Sequence, residues 1–199
     1  MGLEIVYLPG QTPIDEEEKE GLLVKTISTR EELDEFEQLN IQSAIQWTKG
    51  KKFKTEEILS EDFVNLLHKK MFDQVWAWAG KFRKSNKNIG VDWHQIPVEL
   101  RTLLGDCKYW IKNTTYLPDE IAIRFKHRIV NIHCYSNGNG RHSRLIGDII
   151  IENVYQQPVF TWGSNANLVR GNEARKTYIT AIKEADKGNL SSLLKFARR

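Results

Sequence analysis

The chain has 199 residues, a length suited to one domain with a core that needs no covalent staples. Its 29 Lys and Arg against 26 Asp and Glu leave a net charge of +3, too slight a bias for a dedicated nucleic-acid binder. No run approaches eighteen apolar residues, the start lacks a basic stretch followed by an apolar one, and two distant cysteines, Cys107 and Cys134, form no metal or redox pattern; the expectation is a reduced, cytoplasmic protein with no membrane or nucleic-acid partner.

Residues 1–27 read as an irregular N-terminal extension in which Thr12-Pro13 opens a short helix and the acidic run Asp15 to Glu20 is a solvated face. Ser28-Thr29-Arg30-Glu31 is a capping box that predicts a helix to about Lys49, ended by Gly50, with Leu33, Phe36, Leu39, Asn40, Ile41 and Ala44 near helical spacing. A second helix is predicted from near Ser60 to Gly80, with Phe63, Leu66, Leu67, Met71 and Val75 buried. Phe82 to Pro97 is rich in Lys, Asn and Gly and lacks helical period, which predicts two short strands turning around Lys84–Asn88. Pro97 and Pro118 each open a further helix; the second carries Ile121, Phe125, Ile129 and Ile132 on one face. Leu145, Ile146, Ile149, Ile150 and Val154 mark a buried helix, Phe160–Val169 a polar connector, and two last helices carry Tyr178 and Leu190–Arg199. The fold expected is mainly α, one domain over 1–199 with one small β-hairpin.

Residues 133–144 read His-Cys-Tyr-Ser-Asn-Gly-Asn-Gly-Arg-His-Ser-Arg. Gly138 and Gly140 let the backbone approach a ligand, and successive N–H groups ahead of a helix N-terminus favour an anion. Arg141 and Arg144 are one turn apart and can grip phosphate oxygens bidentately. His133 is the group here that can take a proton near neutral pH. His127 reads as packed or hydrogen-bonded, and His142 as facing solvent.

In this order the residues resemble the signature of the Fic (Fic/DOC) family, H-x-F-x-(D/E)-G-N-G-R-x-x-R. The match covers His133, Gly138, Asn139, Gly140, Arg141 and Arg144; Tyr135 replaces the Phe, and Asn137 the usual carboxylate. Trp78-Ala79-Gly80-Lys81-Phe82-Arg83 looks like the segment leading into the family's flap, and Tyr178 to Gly188 like its penultimate helix. Pro9 to Asp15 and Asn88 to Asp92 are similar to a compact bacterial subgroup, mobile mystery protein B, which also tends to carry Asn at the carboxylate position. The Fic core would then span about 60–199, behind the extension of residues 1–27.

The resemblance implies transfer of AMP from ATP to a Ser, Thr or Tyr hydroxyl of a target protein, with pyrophosphate released. His133 would be the base. Gly138, Asn139, Gly140, Arg141 and Arg144 would hold the nucleotide phosphates, and Asn137 would face Mg²⁺, for which an amide oxygen is weaker than a carboxylate. The target would dock on the flap around Phe82–Pro97 by strand pairing. The alternatives are a nucleotide-binding module without transfer, and transfer of phosphate or phosphocholine. The family's inhibitory pattern, (S/T)-x-x-x-E-(G/N), is incomplete everywhere: Glu32 is followed by Leu33, Glu20 has Glu16 where Ser or Thr belongs, and Gln42 and Gln46 hold the key places on the first long helix. Restraint by a separate antitoxin-like partner is therefore expected.

Overall fold

The computed structural model describes residues 13–163 and 173–199. In chain order it contains helices α1 (Glu16–Glu20), α2 (Arg30–Thr48), α3 (Thr55–Ile58) and α4 (Glu61–Phe72), then a 3₁₀ turn at Trp93–Gln95. After it come α5 (Ile96–Asn113), α6 (Pro118–Ile132), α7 (Asn139–Tyr155), α8 (Glu173–Asp186) and α9 (Ser191–Ala197). The helices α6 and α7 form the central hairpin, with α5 and α9 against α6, α4 against both α2 and α7, and α8 against α9.

The centre follows from which helices are apolar on more than one side. Ile121, Phe125, Ile129 and Ile132 are buried as their spacing predicts, but so are Ala122 and Ile123, which look the other way. Each such Ile or Phe contributes about 1.5–3 kcal/mol by leaving water. Pro97 and Pro118 sit in the first turns of α5 and α6, where a missing N–H costs nothing.

Other boundaries depart from the sequence reading. The cap of α2 is Thr29 rather than Ser28: its hydroxyl accepts from Glu32 N at 3.2 Å, and Glu32 reaches back to Thr29 N at 3.1 Å. Ser28 bonds the same carboxylate, so the two hydroxylated residues compete in sequence and only geometry separates them. One face of α2 buries Leu33, Glu37, Asn40, Ile41 and Ala44, while Phe36 and Leu39 are exposed. α4 ends at Phe72, and turns carry the chain on to Gly80. The connector expected at Phe160–Val169 lies largely outside the described residues.

The small hairpin expected within Phe82–Pro97 is not formed. Among the described residues the sole β-type pairing is an isolated bridge, Leu22 with Trp76. Side chains and the end of α6 satisfy this segment in place of a ladder. Arg83 N donates to the Cys134 carbonyl at 2.9 Å, and Val91 N to Ile132 at 3.4 Å. Asn86 Nδ2 donates to Asp92 Oδ2 at 3.0 Å, and Trp93 N to Asn86 Oδ1 at 2.9 Å. Irregular backbone with such partners has no need of a second strand. The acidic run is not wholly solvated either: Lys87 Nζ lies 2.7 Å from Asp15 and 2.6 Å from Glu18, which ties this segment to α1.

Candidate active site

The end of α6 delivers His133. Its N–H still donates to Ile129 at 3.2 Å, but its backbone turns left-handed at φ 58° and so closes the helix. A non-glycine residue there is strained, and the neighbourhood holds it in place. The Arg83 guanidinium is wrapped in carbonyls: Nε donates to His133 O at 2.6 Å, Nη1 to Ser85 O at 2.7 Å and Nη2 to Val91 O at 2.5 Å. Gly90, at φ 103°, lies flat on this turn, where a Cβ would come 2.6 Å from His133 Cβ. Burial first, then the Arg83 charge, pushes the His133 imidazole down to about 4, while a backbone hydrogen bond to Val130 and the Lys87 charge act in opposite directions. At neutral pH it is an uncharged acceptor.

The loop after it is braced from three sides. Asn139 Nδ2 donates to Tyr135 O at 2.7 Å and its Oδ1 accepts from Tyr135 N at 2.9 Å, which closes the loop on itself. Tyr135 is buried, its ring stacked at 3.6 Å on His68 and its hydroxyl 2.8 Å from Asn65 Oδ1. His68 Nδ1 accepts from Gly80 N at 3.0 Å, so its Nε2–H donates to Asn137 O, also at 3.0 Å. This fixes one neutral tautomer, and burial holds the ring's proton affinity well below the ordinary value. His142 is buried too, against the expectation of a solvent-facing residue. Its Nε2 meets the Val64 carbonyl at 3.0 Å, because the first turn of α7 is covered by α4.

Glycine is required at 138 for packing: at φ 79° it caps α7, and a Cβ would strike the Phe72 ring at 2.5 Å. Gly140 is different, since a Cβ there would meet only Arg144 Nη1, at 3.9 Å. The absent side chain instead clears the surface above the first turn of α7. There Asn139, Gly140 and Arg141 present N–H groups with no intrahelical acceptor.

A cleft of about 690 Å³ opens over this surface. His133, Asn137, Gly138, Asn139, Gly140, Arg141 and Arg144 all line it, so the structure gathers every residue singled out in the sequence motif. Their environments differ. Asn139's amide is spent on the loop. Arg141 Nη1 pairs with Glu37 Oε2 at 2.6 Å, and Glu37 Oε1 accepts from Trp76 Nε1 at 2.7 Å. Arg144 lies 5.6 Å from the Tyr178 ring, with no acidic partner among the described residues. Glu32 is occupied by its own cap, and Gln46 is exposed. Glu37 was missed in the sequence reading. Its signal was readable: it falls on the face shared by Leu33, Asn40 and Ile41, and a carboxylate there needs a buried partner.

Asn137 bears on the metal. Its Oδ1 accepts from Gly138 N at 2.5 Å and faces Arg141 Nη2 at 3.4 Å. Among the described residues no group of three or more His, Cys, Asp or Glu could hold an ion. A neutral oxygen already shared by two donors, one of them cationic, does not fit a Mg²⁺ ligand. At its far end the cleft is closed by α8, where Asp186 Oδ1 lies 2.8 Å from His127 Nε2 and 3.1 Å from Asn131 Nδ2. His127 is thus hydrogen-bonded, as expected.

Residues 58–151 match the model of the Fic/DOC family. A protein adenylyltransferase Fic of Aedes aegypti is 24% identical over 144 residues, which is 68% of this chain and 27% of the relative. The chain thus spans about a quarter of the length of that relative. The Bartonella tribocorum effector BepC with bound AMPPNP superposes with a TM-score of 0.67 at 16% identity, over 92% of this chain and 97% of that one. The N-terminal Fic domain of a VirB-translocated effector of Bartonella quintana with bound ADP gives 0.63 at 16% identity, over 87% and 86%. No described helix is long and apolar enough to cross a membrane. Residues 58–151 thus match the Fic/DOC family model, and the chain shares the fold of these effectors.

Proposed function

We propose that the cleft binds ATP and transfers AMP to a Ser, Thr or Tyr hydroxyl of a protein. One observation carries this reading: a neutral, buried imidazole and the open N-terminal turn of α7, with Arg141 and Arg144, line the same cleft. The nucleotides bound in the two effectors support the choice of ligand. In the step, the substrate hydroxyl oxygen attacks the α-phosphorus. The bond from that phosphorus to the bridging oxygen breaks, pyrophosphate leaves with the electron pair, and the hydroxyl proton goes to His133. A weak base suffices because phosphoryl-transfer transition states are loose, with little proton removal needed early. The N–H groups at Gly140 and Arg141 hold the α-phosphate, and the arginines stabilise the charge that develops on the leaving group.

The target would lie along the irregular segment around Phe82–Pro97, where Gly90 borders His133, and a separate antitoxin-like partner would supply restraint. The likeness to the compact bacterial subgroup belongs to the same reading. A second reading, a nucleotide-binding module without transfer, draws on Glu37, which takes up one charge of the motif, and on Asn137. Label transfer into a cell lysate tests both. Label from α-³²P-ATP, lost in His133→Ala, is the expected result. Label from γ-³²P-ATP or from CDP-choline would replace AMP by another group, and ATP binding without any label would establish the second reading.

A further inference from the structure

The cationic end of the cleft carries more charge than the motif supplies. Arg30, in the first turn of α2, and Arg175, in the first turn of α8, line it beside Arg144. Both lie outside residues 58–151. Arg30 Nε is 2.9 Å from Asp34, as Arg141 is held by Glu37, so acids offset part of the charge from behind. Arg144 reaches back over Gly140 and lies against the ring of Tyr178. Arg175 stands three residues before Tyr178 and so projects from the same face of α8. Like charges gathered in a partly buried place raise the free energy of the empty site, and an anion removes that cost. Burial, then the Arg144 charge, and more weakly Arg30, disfavour the charged form of Arg175, with Tyr178 acting against them. The other end of the cleft carries Asp186, eleven residues further along α8 or about 16 Å of helix. A phosphate chain therefore has one favourable direction: away from Asp186, past Arg144 and toward Arg175.

We propose that Arg175, supported by Arg30, forms a distal anion subsite that takes the terminal phosphate of a nucleoside triphosphate. This rests on the reading of the cleft as a nucleotide site. The two planar guanidinium forks suit bidentate contact with a terminal phosphate, which offers three oxygens. The subsite makes the chain's preference run triphosphate over diphosphate over monophosphate, and it places part of that preference on helices outside the matched domain.

Calorimetry on the full chain tests it with ATP, ADP, AMP and inorganic tripolyphosphate, against Arg175→Gln, Arg30→Gln and Arg175→Lys, at one ionic strength. Arg175→Gln should weaken ATP and tripolyphosphate by roughly tenfold or more and AMP by less than about twofold, from the usual strength of a charge-assisted bond. Arg175→Lys should fall between, because it keeps the charge and loses the fork. Equal losses for ATP and AMP, or no loss for ATP, would overturn the subsite. If wild-type protein binds no nucleotide, the proposed function fails, and tripolyphosphate alone decides the subsite: binding that Arg175→Gln abolishes supports it, and no wild-type binding ends it. Should Arg175→Gln not fold, the ATP-to-AMP ratios of Arg30→Gln and Arg175→Lys decide by the same criterion.

Discussion

Glu37 sets two effects against each other at one side chain. Its carboxylate is buried between Trp76 and Arg141 and holds the arginine in one place. It also sets a negative charge beside a site meant for anions. A carboxylate roughly 6 Å from a phosphate costs about 3 kcal/mol at an effective dielectric near 20. Losing the hold on one long side chain costs about 0.5–1.5 kcal/mol. The charge term is larger. Glu37→Gln should therefore tighten ATP binding, while it destabilises the fold by about 1–3 kcal/mol, less than a fully buried pair because Arg141 reaches the cleft. Calorimetry beside urea melts measures both; weaker ATP binding would make Glu37 chiefly a positioning group. Asn137 gives a related test. In Asn137→Asp a carboxylate replaces the amide oxygen that now accepts from Gly138 N, and it adds the charged oxygen that a divalent ion favours. ATP affinity should then depend more steeply on Mg²⁺ than in wild type, and identical Mg²⁺ titrations of the two proteins would remove residue 137 from any metal role.

Among the elements, the segment at residues 83–92 is the one most tightly coupled to the chemistry. Gly90→Ala adds a Cβ that would meet His133 Cβ, Arg83 Nη2 and the Ile132 carbonyl, at a φ that side chains rarely adopt. Two of those neighbours are held in place, so the segment must lift. The expected cost is about 1–3 kcal/mol, with AMP transfer falling more than ATP affinity. Unchanged transfer with a lower melting temperature would restrict Gly90 to folding. This segment also marks the border of what the sequence makes legible. Periodicity placed α5, α6 and α7 well, since each has a strong apolar stripe and a proline or glycine at its start. Local pattern could not reveal that Arg83, a charged residue fifty positions before His133, satisfies the backbone of both, and so a hairpin was inferred where side chains do a ladder's work. The site was legible at the motif because its residues are contiguous. Arg30 and Arg175 were not assigned to it because helices far apart in sequence bring them there, and Glu37 joins it only through its pair with Arg141.

For the whole molecule, stability should fall as acid is added from neutral pH, and the reason lies in how its histidines are buried. His68, His127, His133 and His142 all have depressed proton affinity, each chiefly through burial. An unfolded histidine takes its proton near 6.5, whereas folded His133 and His142 hold out to about 4. The unfolded chain thus binds more protons across that window, so this stabilisation is complete above about 6.5 and is lost as pH falls toward 4. Asp148 opposes the trend. Burial raises its carboxyl to about 7 even though Trp162 Nε1 and Phe160 N donate to it. Between 3.8 and about 7 the folded state keeps a proton that the unfolded state releases, so the Asp148 contribution grows as pH falls. The magnitudes decide the sign: His133 and His142 are each worth roughly 3 kcal/mol across the window and Asp148 about 4, and His68 adds to the histidine side. Net loss of stability from pH 7 to 4 is expected, measured as urea midpoints at constant ionic strength. Asp148→Asn should steepen that loss, because it deletes the opposing group while an amide oxygen can still accept from Trp162. A flat or rising profile on acidification in wild type would mean that the buried histidines reach their protons without unfolding, and a slope unchanged in Asp148→Asn would mean that the Asp148 carboxyl is already ionised in the folded protein.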